Sequence, residues 1–174
     1  MLWQESRVYW RNHLMIFVTV GTCVSFHRLV KHIDFLAVQL NEDIVMQTGE
    51  STYDPVNCEF SSFFPSLDHY IGKARLVISH GGFSCIEIIK QHKPLIIVPR
   101  QHRYQEHMND HQVEFAELLH RKFDVPYFTD LDKLSAEYIS EYSYVAEYKY
   151  DNLNRFKENI KKVLCAGKSS RWER

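Results

Sequence analysis

No stretch of this sequence stays apolar for anything near the roughly 20 residues that a membrane-crossing helix needs. The best run, Leu14 to Val20, is the size of a β-strand, so the chain is not expected to cross a bilayer unaided. Cysteine is sparse and scattered. Cys23, Cys58, Cys85 and Cys165 form no CxxC pair, which suggests neither a zinc site nor a disulfide framework and makes a reducing cytosol the simplest compartment. An excess of either charge is missing too: 21 basic residues face 22 acidic ones, a formal net charge of −1, so nothing global draws the chain to nucleic acid or to an acidic membrane surface. The opening segment MLWQESRVYWRNHL, residues 1–14, lacks the apolar core and small-residue cleavage site of a signal peptide. It reads as an N-terminal extension, or as an upstream start, ahead of a domain over 15–174.

What is present is a regular alternation of strand and helix patterns. Met15 to Val20 is a β-rich apolar run closed by Gly21, the signature of a buried parallel strand. Phe26 to Leu40 carries apolar residues at the spacing of one helix face. Ile44 to Gln47 and Cys58 to Phe64 read as strands, and Ser66 is placed to cap a short helix ending near Lys73. Then come a strand over Leu76 to Ser79, a glycine-bearing turn over His80 to Ser84, a short helix over Cys85 to Gln91 and a strand over Pro94 to Val98. A polar loop over Pro99 to Tyr104, a helix over Gln105 to His120 and a strand over Val125 to Phe128 complete the pattern. This order predicts an α/β fold with a doubly wound, mostly parallel, Rossmann-like sheet. From Asp132 on, Tyr138, Tyr142 and Val145, then Leu153, Phe156, Ile160 and Val163, are spaced as buried helical stripes.

Open parallel sheets bind ligands at the carboxyl ends of their strands, and three segments expected there carry unusual residues. The first is the loop at Gly21 and Thr22. The second is the turn His80-Gly81-Gly82-Phe83-Ser84, where the backbone N–H groups of Gly82 to Cys85 would point outward from a helix N-terminus, a geometry that binds phosphate; the same pair of glycines also suits a plain tight turn. Glu87, one helical turn on, either accepts hydrogen bonds from a ribose or simply favours the helix dipole. The third segment, Arg100 to Gln112, is dense in donors and acceptors. Arg100 and Arg103 suit phosphate, and His107, His111 and Gln112 suit a nucleotide or sugar. His107 and His111 stand at i and i+4, which fits either a metal-binding helix face or a solvated helix start; without the glutamate of HExxH no metal is expected.

At these residues the sequence resembles the C-terminal domain of glycosyltransferase family 28, and above all its stand-alone forms, the Alg13-like subunits and the bacterial PssE/EpsF-like proteins. The stretches that carry the resemblance are MIFVTVGT at 15–22, FHRLVKHID at 26–34, ARLVISHGG at 74–82 and KPLIIVPRQHRYQEHMNDHQVEFA at 93–116. The relatives usually read SHGGxGS or SHAGSGS, where this chain has Ser84 and Cys85. The resemblance implies the nucleotide-sugar-binding, C-terminal-type lobe of a GT-B enzyme, with a UDP-sugar as donor substrate and no cofactor or metal. It implies a hexosyltransferase that transfers to a lipid-linked sugar acceptor in capsular/exopolysaccharide or glycolipid-oligosaccharide synthesis. It also implies a membrane-anchored Alg14/PssD-like partner that supplies the acceptor lobe and recruits a cytoplasmic chain to the cytosolic membrane face. The length agrees, since 174 residues suffice for one core and fall short of two comparable lobes. By the same resemblance His80, Gly81, Gly82 and Ser84 would hold the diphosphate, with His80 the candidate catalytic residue. Glu87 would hold the ribose, Glu106, His107, His111 and Gln112 the sugar or pyrophosphate, and Gly21 and Thr22 the cleft floor. The competing reading keeps the fold and makes the chain a non-catalytic subunit that stabilises or enhances a membrane-associated transferase. An NAD-dependent oxidoreductase would need the GxGxxG that is missing here.

Overall fold

The computed structural model describes residues 15–22 and 24–147. The 1–14 extension, Cys23 and Cys165, and the stripe at Leu153, Phe156, Ile160 and Val163 lie outside the described residues.

Five strands form one parallel sheet: β1 (Met15–Thr19), β2 (Asp43–Gln47), β3 (Glu59–Ser61), β4 (Ala74–Ser79) and β5 (Leu95–Ile97), in the order β3-β2-β1-β4-β5. The helices are α1 (His27–Ala37), α2 (Asp68–Lys73), α3 (Ser84–Lys90), α4 (His111–Phe123) and α5 (Ala136–Glu141). Successive side chains of a strand face opposite ways, and β1 is apolar at every position before Thr19, so both faces of the sheet are covered. Met15 and Phe17 join Ile71 of α2, Ile88 and Ile89 of α3 and Phe115 and Leu119 of α4 on one side. Ile16 and Val18 join Leu29, Val30 and Ile33 of α1 and Ile139 of α5 on the other. The doubly wound α/β expectation is therefore met, with the core split into two layers by the sheet.

Several boundaries differ from the sequence reading, each for a local reason. The third strand shrinks to Glu59–Ser61. Ser66 Oγ does accept the N–H of Asp68 at 3.2 Å, although the residue at the helix boundary is Leu67. The expected helix from Gln105 begins only at His111. Residues His102–Tyr104 form a single 3-10 turn, and Gln105 then takes a left-handed backbone, φ +57°, which no helix continues through. The strand expected over Val125 to Phe128 contracts to one parallel bridge between Ile97 and Tyr127, because Pro126 has no N–H to extend a ladder. In the last described segment Ser135 caps α5 by accepting the N–H of Tyr138 at 3.1 Å. Tyr138 and Tyr142 pack partly buried as expected, but Val145 is exposed, and Leu134, Ile139 and Ala146 take the buried places.

Candidate functional site

The chain leaves β1 toward β2 and β3 on one side, then returns to place β4 and β5 on the other. The crevice between two such oppositely directed crossovers is where open α/β sheets bind ligands, and here it lies between the carboxyl ends of β1 and β4, where Thr19 pairs with Ser79. The loops that leave these two strands meet around one imidazole. A Cβ on Gly21 would lie 2.9 Å from His80 Cε1, and a Cβ on Gly82 would lie 2.3 Å from His80 Nε2. A third glycine closes the floor: Gly49, after β2, has φ +57°, and a Cβ there would come within 2.5 Å of the Gly21 carbonyl oxygen. On the far side, a Cβ on Gly81 would lie 2.7 Å from the carbonyl oxygen of Gln112. The glycines are thus required by close approach of backbone and ring, as well as by the left-handed φ of +76° at Gly21.

His80 is held neutral. Burial, and then the positive charge of Arg100, push its pKa down to about 4, against a smaller upward pull from the Thr19 carbonyl. That carbonyl, 3.4 Å from Nδ1, accepts only, so Nδ1 carries the proton and Nε2 offers a lone pair toward Gly82. At neutral pH the ring can accept a proton or a hydrogen bond but supplies no positive charge of its own.

The turn itself is more engaged than the sequence suggested. The Gly82 N–H donates to the His80 carbonyl at 2.7 Å and the Cys85 N–H to the Gly82 carbonyl at 3.1 Å. This corrects the expectation that all four donors from Gly82 to Cys85 point outward: among the described residues the unpaired ones are Phe83 and Ser84. The Ser84 hydroxyl lies 3.0 Å from that of Ser79, which in turn donates to the His80 carbonyl at 3.1 Å. Cys85 is buried, and burial lifts its thiol to about 12; its S–H donates to the His80 carbonyl at 3.2 Å. Glu87 is exposed on α3 and ion-paired with Lys90 at 2.6 Å, and Thr22 is exposed on the β1–α1 loop.

The polar segment after β5 divides into framework and open wall. Arg100 is buried: its guanidinium donates to the carbonyl of Val20 at 2.6 Å and to that of Val24, so it braces the β1–α1 loop from inside rather than facing the open cleft. Gln112, also buried, accepts the Arg100 N–H at 3.0 Å and so ties α4 to the end of β5. Glu106 is buried in a two-pronged ion pair with Arg28 of α1, at 2.7 and 2.9 Å, and also accepts the N–H of Gln101 at 3.1 Å. Arg103 is exposed and lies 4.7 Å from the Tyr104 ring. His107 donates from Nδ1 to Asn109 Oδ1 at 3.0 Å. Because α4 starts at His111, His107 and His111 do not share a helix face, which removes the basis of the i, i+4 metal reading. His111 donates from Nδ1 to Glu114 at 3.3 Å, and its Nε2 is buried without a partner among the described residues. A pocket of about 750 Å³ opens on this wall, lined by Val24, Arg103, Glu106, His107 and Met108 among others.

The structure therefore gathers Gly21, His80, Gly81, Gly82, Ser84 and Gln112 into one crevice, with His107 lining the pocket on the wall after β5. Glu87 and Thr22 are exposed in the segments that follow β4 and β1, and Arg100 and Glu106 are buried in the hydrogen-bonded frame. Gly49 and Arg28 were missed by sequence reasoning. Gly49 had only its place after a strand to mark it, and Arg28 finds its partner 78 residues away, which no local pattern reveals. Among the described residues no helix is long and apolar enough to cross a membrane, and no three His, Cys, Asp or Glu side chains cluster as a metal site.

Known proteins resemble the chain in sequence and in fold. The chain is 35% identical over 130 residues to the UDP-N-acetylglucosamine transferase subunit ALG13 of Homo sapiens, a match that covers 66% of this chain and 11% of that protein. It is 36% identical over 127 residues to the Mus musculus protein of the same name, covering 65% and 10%. The chain thus spans about a tenth of the length of these relatives. Among solved structures it is similar in fold to the glycosyltransferase SnogD from Streptomyces nogalater, with a TM-score of 0.58 at 13% identity over 94% of this chain and 42% of that one. The calicheamicin glycosyltransferase CalG4 gives a TM-score of 0.55 at 18% identity, over 92% and 40%. Acinetobacter baumannii MurG gives 0.53 at 16% identity, over 75% and 40%. These are GT-B glycosyltransferases, and this chain has the fold of one lobe of that architecture. The family model for the glycosyltransferase family 28 C-terminal domain matches residues 15–161, and the chain belongs to that family.

Proposed function

We propose that the chain is the UDP-sugar-binding part of a glycosyltransferase completed by a second subunit, with UDP-N-acetylglucosamine as the donor. The observation that carries the reading is the crevice between β1 and β4, where Gly21 and Gly82 flank a neutral His80 and Gly81 packs against Gln112. Anions bind where backbone donors are exposed and side chains do not crowd the approach, and the free N–H groups of Phe83 and Ser84 lie at this point. The diphosphate sits over that turn, Glu87 reaches the ribose, and the sugar faces His107, His111 and Gln112 on the opposite wall. No metal or cofactor takes part in this reading. Negative charge develops on the departing UDP, and backbone donors fixed in advance stabilise it without reorganising. An arriving diphosphate also favours the protonated form of His80, so the ring is suited to respond to the leaving group.

The word "subunit" in the names of both mammalian relatives supports a two-component enzyme. In this reading a membrane-anchored Alg14/PssD-like partner presents a lipid-linked acceptor, supplies the group that deprotonates the acceptor hydroxyl, and brings the chain to the cytosolic membrane face. The product belongs to capsular/exopolysaccharide or glycolipid-oligosaccharide synthesis.

Calorimetric titration with UDP, UDP-N-acetylglucosamine and UDP-glucose tests the proposal, with and without the partner. The wild type is expected to bind, with UDP-N-acetylglucosamine preferred. Gly82→Asp should abolish binding, because it places both bulk and negative charge against His80. Glu87→Ala should weaken binding about tenfold, the scale of a hydrogen bond to a charged group. Absence of binding even with the partner present would leave the second reading, a non-catalytic subunit that stabilises a membrane-associated transferase.

A further inference from the structure

Arg28 lies in the first turn of α1 and reaches to the β5–α4 loop. Its Nε donates to Glu106 Oε1 at 2.7 Å and its Nη2 to Oε2 at 2.9 Å, with a further contact to the Pro99 carbonyl at 3.5 Å. The guanidinium centre lies 4.4 Å from the Tyr104 ring centroid. Both side chains are largely shielded, 21% exposed for Arg28 and 9% for Glu106. A shielded ion pair is a weak device for stability, since an apolar pair of similar volume serves as well. What the planar fork provides instead is direction, because two parallel N–H···O bonds fix the carboxylate in plane and angle.

The loop shows what is being directed. Its two ends are anchored by other bonds: Gln101 Nε2 donates to the Thr129 carbonyl at 2.6 Å, and the His102 N–H donates to Asp110 at 2.8 Å. Its middle passes through the left-handed backbone of Gln105, a conformation that persists in a non-glycine residue only where the surroundings impose it. Glu106 comes next, then His107, whose Nδ1 donates to Asn109 Oδ1 at 3.0 Å. Glu106 and His107 also line the pocket on this wall.

We propose that Arg28 is a positioning residue of the donor site: acting through Glu106, it holds the β5–α4 loop in the shape that receives the sugar of the nucleotide, an inference that rests on the donor-binding reading above. Arg28 does not touch the donor itself. Because the diphosphate is held by the His80–Ser84 turn and the sugar by the opposite wall, losing the clamp separates the two contributions. If the loop is then correctly formed in only about one molecule in ten, the apparent Kd for the sugar nucleotide rises about tenfold, while UDP alone is little affected.

The experiment is calorimetry with UDP and with UDP-N-acetylglucosamine on wild type, Arg28→Met, Arg28→Lys, Glu106→Gln and the Arg28→Met/Glu106→Gln double variant, each with its melting temperature and the hydrogen exchange of residues 99–110. Arg28→Met keeps an unbranched stem and removes the fork; Glu106→Gln keeps the shape and serves should the former fold poorly. The expected result is a loss of about tenfold for UDP-N-acetylglucosamine with UDP within about twofold, faster exchange across the loop, partial recovery in Arg28→Lys, and a double variant no worse than either single one, because both break the same link. Equal weakening for both nucleotides, in proportion to a lowered melting temperature, would show that Arg28 merely supports the fold and would overturn the inference. Unchanged UDP-N-acetylglucosamine affinity in a folded Arg28→Met protein would overturn it too. A wild type that binds neither nucleotide is a separate outcome: the donor reading itself then fails, and this inference with it.

Discussion

The same chemical change, one methyl group on a glycine, should act with opposite sign at two places in this molecule. A Cβ on Gly81 would sit 2.7 Å from the Gln112 carbonyl oxygen and 3.0 Å from Gln112 Cβ, whereas a Cβ on Gly72 meets nothing within 4 Å. Ordinary contacts begin at 3.4 Å, so Gly81→Ala obliges the first turn of α4 to retreat by about 0.7 Å, and the obstacle is backbone that cannot rotate aside. That retreat strains the hydrogen bond from the Arg100 N–H to Gln112, 3.0 Å in the native structure, which contributes about 1 kcal/mol. Overpacking of this kind costs about 1–3 kcal/mol, and the roughly 0.4–1 kcal/mol gained from a less flexible unfolded chain offsets only part of it. Gly72 lies within α2 and is exposed, so Gly72→Ala should stabilise by about 0.5–1 kcal/mol. Urea unfolding followed by circular dichroism reads both as shifts in midpoint at constant slope. A Gly81→Ala midpoint equal to or above wild type would refute the claim that α4 is packed hard against the β4–α3 turn. The functional counterpart is that Gly81→Ala weakens UDP-sugar binding in the folded protein, because Gln112 moves with the helix.

Two further predictions concern buried ionisable groups. Since burial and Arg100 hold His80 near 4, below the ordinary value of about 6.5, the unfolded chain binds the extra proton between those limits. The stability that His80 contributes is therefore complete above about pH 6.5 and is lost as the pH falls toward 4. Urea midpoints at pH 7 and pH 5 should accordingly differ less in His80→Asn than in wild type, and an equal difference in the two proteins would show that the ring is not held neutral. Burial also pushes the Asp34 carboxyl upward, but hydrogen bonds from Tyr53 and from the Asn57 and Val56 N–H groups outweigh it and leave the group below the usual carboxylate range. Tyr53 OH donates to it at 2.6 Å and Asn57 N–H at 2.7 Å, so Asp34→Ala should cost about 2–4 kcal/mol by stranding those donors. A change below about 0.5 kcal/mol, the level of a surface substitution, would contradict the network.

The apolar runs and the turns between them were enough to place this chain among doubly wound α/β folds. A strand apolar at every position must be buried on both faces, and a helix face of 3.6-residue period must lie on one of them. The motifs around Gly21, His80–Ser84 and 93–116 were likewise readable, because a glycine at a strand's carboxyl end stands out in the sequence, although the contacts that require it, His80 against Gly21 and Gln112 against Gly81, do not. What the sequence did not reveal depends on residues far apart in the chain. Whether the polar stretch 100–112 is a helix or a folded loop is decided by Arg28 reaching Glu106 and by Asp110 taking the His102 N–H, contacts that outweigh the helical propensity of Gln105 to Asp110. The inward turn of Arg100 onto the Val20 and Val24 carbonyls and the neutral state of His80 follow from burial and from neighbouring charge. Both are properties of an assembled interior. Sequence thus set which residues meet at the edge of the sheet; the tertiary structure decided which of them form the frame and which face the cleft, because only packing determines where a charged side chain finds its partner.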